Sequence, residues 1–535
     1  MARASQSSRT TAYKCLLVTL LLTSAGALFL TSAVGVSREQ VQLWKAHGLR
    51  PLSIPDVEVP LQAVREQSEN HVDTLESDPV PLARESPTKQ SQDKEVPSRP
   101  LRPTCNRDMS IEQEYGSLNV QLSRDHVGTR IRLAKVFDKL DKGQKIKIGV
   151  LGGSVSSGHG NSHAVHKQDR VIQNPWSAFV KAWFDERYND QVEFVSGAVP
   201  AVDSSFFFWC WPAKLGGEDV DLVFLETAVN DQYSVESMQY SEDLLRSLLE
   251  SPRQPAVIYV DAFALHSGQT RKTTTETDRG NGILDGADAH LPLARFYDVP
   301  EISVRDPVLP TLLETPQLQD QYFAGDSRHI AAPLHRYLGH MVVSFLQDAL
   351  CQTREILQSL DERNQISSPW SRRTKAWVGG VPRVKISQAW DSPSVPKSVP
   401  PSCQLAGHGL SPVPVNPDEP LKWSLYTWRY DKQYLQALEP KSSVRFNVTV
   451  NSGGRGLVAV SFLRTRAEPG LGRLRCRIEG QESTLDGWWD KSTSVSETKV
   501  VATGLQDGRS FELECATEQD DQGRSAFRIM SVQTM

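Results

Sequence analysis

The spacing of apolar residues changes several times along the chain, and each change predicts a different kind of segment. Cys15 to Val36 run without a charge and are rich in Leu, Ala and Val. As a helix, a stretch of this length can cross about 30 Å of hydrocarbon. From Ser37 to Thr104 the chain is polar, low in aromatics and punctuated by proline, as in DPVPLARESPTKQSQDKEVPSRPLRP. That composition cannot bury a core and predicts a disordered stem over 37–104. Between Cys105 and Cys351 short apolar runs alternate with helical spacing. KIKIGVLGG (145–153), VEFVSG (192–197), VDLVFLE (220–226) and AVIYVDA (256–262) read as strands. NPWSAFVKAWFDERY (174–188) reads as a helix, with Asn174 as N-cap and Pro175 at the first helical position. Further helices are expected near 234–250 and 333–350. Strands separated by helices predict a mainly parallel sheet covered on both faces over 105–351. Residues 352–420 are rich in Pro and Ser and read as a linker or an irregular wrap across the first domain. From Leu421 to Met535 the runs SVRFNVTVNSGG, GLVAVSFLR, RLRCRIEG, TKVVATGL and SFELECAT are short strands between Gly, Asn and Asp turns. They predict a small β-sandwich over 421–535.

Charge then orients these segments. Arg3, Arg9 and Lys14 precede the apolar run with no acidic residue among them. The positive-inside rule therefore makes 1–14 a cytosolic tail and 15–36 a signal-anchor, with the body of a type II protein in the lumen or outside. Cleavage as a signal peptide after Ala25, Ala27 or Ala33 is the alternative and would give a secreted protein. A net charge of −5 over 535 residues gives no electrostatic case for binding nucleic acid. Six cysteines (105, 210, 351, 403, 476 and 515) fall on the lumenal side, where disulfides persist. Cys476 and Cys515, in neighbouring strand-like runs, are the preferred pair. No Cys/His cluster has zinc spacing, so no structural metal is expected. Asn447-Val-Thr449 is a glycosylation sequon usable on this topology.

Candidate chemistry sits at the ends of predicted strands. Gly152-Gly153-Ser154 follows the first buried strand directly, where an open α/β sheet places its ligands. A serine there can present its hydroxyl and its own N–H to one point, as an acyl-transfer nucleophile requires. Asn230, in VFLETAVND, stands just beyond another strand on the same edge, and its amide can donate to a developing oxyanion. Asp326-Ser327-Arg328-His329 precedes the last helix of this domain. An Asp three residues before a His can hold the imidazole Nδ1–H and leave Nε2 free to take the serine proton. His335 and His340 read as helix-face or packing residues. Each of these signals alone has a bland reading as a turn, a cap or a chance DxxH, and it is their order that carries the case.

Taken in that order, these motifs resemble the SGNH/GDSL hydrolase superfamily, over roughly residues 145–350. The match is best to its eukaryotic membrane-anchored and secreted members. The stretch VSFLRTRAEPGLGRLRCRIEG…STLDGWWDKS looks like the accessory β domain some of them carry. The resemblance implies a flavodoxin-like three-layer α/β/α sandwich followed by an all-β domain. It makes Ser154 the nucleophile, His329 the general base and Asp326 the residue that orients it. The oxyanion hole would be the Ser154 N–H, the Asn230 side chain and a backbone N–H of a second block, whose usual Asn and Gly are here Ser196 and Ala201. A backbone donor does not require glycine, so Ala201 serves provided its φ is ordinary. Gly153 replaces the Asp of GDS, and Ala228 the Gly of GxND. This chemistry needs no cofactor.

The leading expectation is hydrolysis of an ester, with an acetyl group on a glycan as the first candidate, through an acyl-enzyme. Transfer of acetyl groups onto polysaccharide by the same triad is an alternative that the anchor-plus-stem layout favours. A domain that binds glycans without catalysis is a third, motivated by the altered blocks. The polar run between Ala264 and His290 reads as a substrate lid or a disordered insertion. Trp423, Trp428, Trp488 and Trp489 are candidates for stacking on sugar rings, against the commoner role of aromatic core.

Overall fold

The computed structural model describes residues 108–160, 174–265, 283–323, 327–365, 380–428, 432–467, 469–490 and 494–535. The expected tail, signal-anchor and stem, most of the expected lid, and Asp326 lie outside the described residues. Among the described residues no helix is long and apolar enough to cross a membrane.

Two short helices, α1 (Ser110–Tyr115) and α2 (Ser117–Leu122), lead into α3 (Ile131–Asp141). Alternation follows: β1 (Ile146–Gly152), α4 (Trp176–Tyr188), β2 (Val192–Ser196), α5 (Ser204–Leu215), β3 (Leu222–Glu226), α6 (Val235–Leu249) and β4 (Ala256–Asp261). The domain ends with α7 (Gly286–Tyr297), β5 (Glu301–Ser303), α8 (Arg305–Glu314), α9 (Gln319–Tyr322) and α10 (Ala332–Gln365). The five strands are parallel in the order β2-β1-β3-β4-β5. That is the flavodoxin-like order, with its switch point beside β1. The first strand is buried along its whole length, which is why it reads as an unbroken apolar run instead of an alternating one. Helices α3, α4 and α10 supply one core against the sheet, and α5, α6 and α7 the other. The result is the expected three-layer sandwich.

The second domain contains β6 (Ser402–Leu405), β7 (Ser424–Trp428), β8 (Lys432–Ala437), β9 (Ser443–Thr449) and β10 (Val458–Arg464). It continues with β11 (Arg473–Ile478), β12 (Gln481–Asp486), β13 (Val495–Ala502), β14 (Ser510–Glu518) and β15 (Phe527–Thr534). One sheet runs β13-β10-β15-β8-β7, with β6 paired to the far part of β15, and the other runs β12-β11-β14-β9. Every pairing between these strands is antiparallel, and side chains of both sheets meet in one core. Cys476 and Cys515 lie opposite each other on β11 and β14 and are joined by a disulfide.

Residues 352–420 differ from a simple linker. Helix α10 continues past Cys351 to Gln365. Residues 380–401 run across α6: the Ile386 N–H donates to Glu242 (2.7 Å), the Ser398 N–H to Glu250 (2.6 Å), and Arg246 to the Pro382 carbonyl (2.8 Å). From Ser402 the chain is already in the β sheet.

Helix α5 explains how the two domains meet. Its sequence, SSFFFWCWPAKL, is apolar around the whole circumference, and every residue from Phe206 to Trp211 is buried. Such a helix needs protein on all sides. The parallel sheet covers one side, while Tyr434, Ala459, Leu463 and Met530 of the β domain join the same core. Cys210 on α5 is disulfide-bonded to Cys403 on β6.

Candidate active site

The turn that carries Ser154 is built by β1 and β3. Gly153 N–H donates to the Glu226 carbonyl at the end of β3 (3.1 Å), and Ser154 C=O accepts from His159 N–H (2.9 Å). A side chain at Gly153 would begin 2.7 Å from the Asn230 amide nitrogen, so any larger residue there would have to displace that amide. The Asp expected at this place from the family motif would meet that amide. Beneath the turn, the Glu226 carboxyl accepts from Ser156 N–H (3.0 Å) and Ser156 Oγ (2.8 Å), and Trp176 Nε1 donates to the same Ser156 Oγ (3.1 Å). Burial pushes the Glu226 carboxyl up to about 8, against the pull of the Ser156 hydrogen bonds.

Ser154 is only 8% exposed, and its Oγ lies 2.8 Å from His329 Nε2. The segment carrying His329 is fixed on both sides. Phe323 and Ile330 form an antiparallel bridge, Leu265 N–H donates to the Ser327 carbonyl (2.7 Å), and Ala331 N–H to the Tyr322 carbonyl (2.7 Å). His335 is buried, and its Nδ1 accepts from Trp176 N–H (3.3 Å). Burial pushes its pKa down to about 3, so it is a neutral packing group. His340 Nδ1 lies 3.1 Å from the Tyr115 hydroxyl, and its ring packs edge-on against Phe179 (5.3 Å). Ser154, Asn230 and His329 thus converge at one end of the sheet, while Asp326 lies outside the described residues.

Asn230 sits in a tight turn in which its N–H and that of Asp231 both reach the Thr227 carbonyl (2.9 and 2.8 Å). Its Nδ2 donates to the Val202 carbonyl (2.6 Å). An amide carries two such hydrogens, so this bond fixes the side chain and leaves a second donor.

The second block departs from expectation at Ala201, whose φ is +56° and not ordinary. The left-handed region costs a residue with a Cβ about 1 kcal/mol or more, which gives a physical reason for the family's usual glycine here. The β domain holds the strained segment: the Ala201 carbonyl accepts from Ser496 N–H (2.9 Å), and the Pro200 carbonyl accepts from Lys432 Nζ. Ser196 ends β2 opposite Val150 and is exposed.

Of the four candidate tryptophans, Trp428 is placed at the site. Its ring is 6.1 Å from that of His159, which in turn is 5.9 Å from His329. Trp423 is core, with Nε1 donating to the Ser442 carbonyl (3.0 Å). Trp488 and Trp489 lie under Arg524 and Arg464 (3.5 and 4.6 Å). Sequence reasoning missed His159, Lys432 and Glu226. Of these only His159, five residues beyond Ser154 in a Gly-flanked loop, offered a signal.

Comparison with solved structures follows the whole two-domain arrangement. A two-domain esterase active on acetylated mannans, co-crystallised with mannopentaose, aligns over 78% of this chain and 97% of its own, with a TM-score of 0.50 at 17% identity. A second structure described as a two-domain esterase active on acetylated mannans aligns over 78% of this chain and 98% of its own, with a TM-score of 0.50 at 16% identity. At that identity the likeness is one of fold: a parallel sheet between helices followed by an all-β domain. A protein described as a GDSL-like lipase, from Parabacteroides merdae, aligns with 39% of the chain and 96% of its own at 13% identity and a TM-score of 0.30. No family model matches the sequence, and no curated relative does.

Proposed function

We propose that this chain is a serine esterase that removes acetyl groups from glycans. The observation that carries the reading is the 2.8 Å approach of Ser154 Oγ to His329 Nε2 at the C-terminal edge of the parallel sheet. In this reading His329 takes the Ser154 proton as Oγ attacks the acyl carbonyl. The carbonyl oxygen, now an anion, accepts from Ser154 N–H and Asn230 Nδ2. His329 returns the proton to the leaving sugar oxygen, and water repeats the sequence on the acyl-enzyme. Asp326 orients His329, as the family resemblance implies. Ala201 N–H is the third donor of the family pattern, but the ordinary φ on which that role was conditional is not found, so this reading rests on the first two donors.

The glycan part rests on the two-domain solved esterase that acts on acetylated mannans and on Trp428 at the rim of the site. The same reading makes the protein lumenal or secreted, anchored through 15–36. The Cys210–Cys403 and Cys476–Cys515 disulfides suit an oxidising compartment. Asn447, exposed on β9, suits a glycan attachment site.

The test is hydrolysis of p-nitrophenyl acetate by the purified protein. Ser154→Ala and His329→Ala should each lower kcat by about 10³ or more. Undiminished activity in Ser154→Ala would remove the nucleophile. Acetyl transfer to an added oligosaccharide outrunning hydrolysis would make the protein a transferase. Glycan binding with no turnover would make it a binding protein.

A further inference from the structure

Behind Asn230 lies a polar cluster that the proposed mechanism does not use. Asp231, the next residue, is buried and accepts four hydrogen bonds. Its Oδ1 takes the Ser204 N–H (2.8 Å), and its Oδ2 takes Ser204 Oγ (2.5 Å), Thr227 Oγ1 (2.7 Å) and His290 Nε2 (2.8 Å). The other ring nitrogen of His290 faces Asp261 Oδ1 at 3.3 Å, and the ring stacks on Tyr259 at 4.6 Å. His290, Asp261 and Glu301 are all fully buried.

This arrangement connects three elements that meet at the oxyanion donor. Ser204 is the first residue of α5, directly after the loop whose Val202 carbonyl holds the Asn230 amide. Thr227 opens the turn that carries Asn230. His290 lies in the first turns of α7, whose start is fixed by an Asp285–Asp288 capping box, by Arg305 on Asp288 (2.6 Å), and by Gly286 N–H on the Ala228 carbonyl (3.2 Å). A carboxylate oxygen with three donors cannot rotate without losing several bonds at once in a water-free site. Asp231 therefore ties the Asn230 turn to α5 and α7 together.

We propose that His290 is a positioning residue for the Asn230 oxyanion donor, acting through Asp231. The inference rests on the oxyanion role given to Asn230 above. Each ring nitrogen of His290 faces a carboxylate oxygen, so the ring serves as a double donor when both nitrogens carry hydrogen. Burial opposes that charge, but Asp261 and Asp231 outweigh it and hold the imidazole well above its usual range. Glu301, beside Asp261, is pushed up to about 10 by burial and by Asp261, so it stays neutral and adds no second negative charge.

The experiment is a double-mutant cycle on the full chain, with p-nitrophenyl acetate as substrate. Asn230→Ala should lower kcat by about 10² to 10³, the effect of losing one oxyanion donor. His290→Gln, which keeps one donor and a similar shape, should lower kcat by about 10- to 100-fold with KM little changed, as expected for a misplaced group. In the Asn230→Ala background the same change should cost nothing further, because the donor it positions is gone. An equal loss in both backgrounds, or wild-type kcat in His290→Gln, overturns the inference. Ser204→Ala removes another of the Asp231 donors with little risk to folding. It should show the same dependence on Asn230, and it decides the matter if His290→Gln does not fold. Wild-type kcat in Asn230→Ala would instead remove the oxyanion role of Asn230 itself.

Discussion

Ala201 is where a single residue carries an avoidable strain. Its φ of +56° is set by the carbonyl bonds that Ser496 and Lys432 make to this segment. Glycine adopts that conformation without the Cβ penalty, although it also adds freedom to the unfolded chain. Ala201→Gly should therefore raise stability by about 0.5 to 1 kcal/mol, read as a higher urea midpoint at constant m-value. A lower midpoint would mean that the turn is not strained. Glu226 gives a second prediction at this scale, in pH. Its carboxyl ionises near 4.5 in the unfolded chain and near 8 in the fold. Between those values the native state keeps a proton that the unfolded chain has released. Stability contributed by the neutral carboxyl is complete below about pH 4.5 and is lost as pH rises through 8, at up to about 1.4 kcal/mol per unit. Glu226→Gln keeps an acceptor for Ser156 and cannot ionise. The mutant should match the wild type in thermal midpoint near pH 5 and exceed it near pH 8. Parallel pH profiles for the two proteins would show that Glu226 is ionised throughout. Neither residue's role could be read from sequence. A backbone angle leaves no composition signal, and a Glu ending an apolar strand looks the same whether it is wet or buried.

At the scale of elements, legibility followed the strength of the hydrophobic pattern. Strands β1, β3 and β4 were visible because a parallel strand buried on both faces reads as a nearly uninterrupted apolar run, and the half-exposed edge strand β2 because Val192, Phe194 and Val195 still stand out between polar neighbours. Ser154 and Asn230 could be placed on one edge because each directly follows such a run, and parallel strands bring their C-terminal ends together. Strand β5 was missed because its three residues, Glu-Ile-Ser, carry no pattern at all. Helix α5 was missed for the opposite reason. Its apolar residues are continuous, so no 3.6-residue period marks it as a helix. The expected Asn174 cap also shifts by one residue: Pro175 is the N-cap and Trp176 opens α4. His290 was invisible because a lone histidine in a helix announces neither of the two carboxylates it meets. Those partners come from the ends of β3 and β4, far away in the chain.

The whole molecule turns on α5, because no face of it is suited to water. A catalytic domain cut at Gln365 would expose the side that packs on Tyr434, Ala459 and Met530, and would lose the Cys210–Cys403 bond that fastens α5 to β6. It would also lose Ser496 and Lys432 from the Pro200–Ala201 segment. The two domains are thus one cooperative structure, in contrast to a hydrolase with a tethered accessory module, whose parts would unfold separately. The full chain should melt in a single transition, with calorimetric and van't Hoff enthalpies in agreement. Replacing both Cys210 and Cys403 by serine should lower stability by about 2 to 5 kcal/mol without splitting that transition, since the apolar contact remains. A chain ending at Gln365 should be recovered as aggregate, because an exposed apolar face of this kind drives association. Two separate transitions in the full chain, or a soluble and active product from the shortened one, would return the β domain to the status of an appendage.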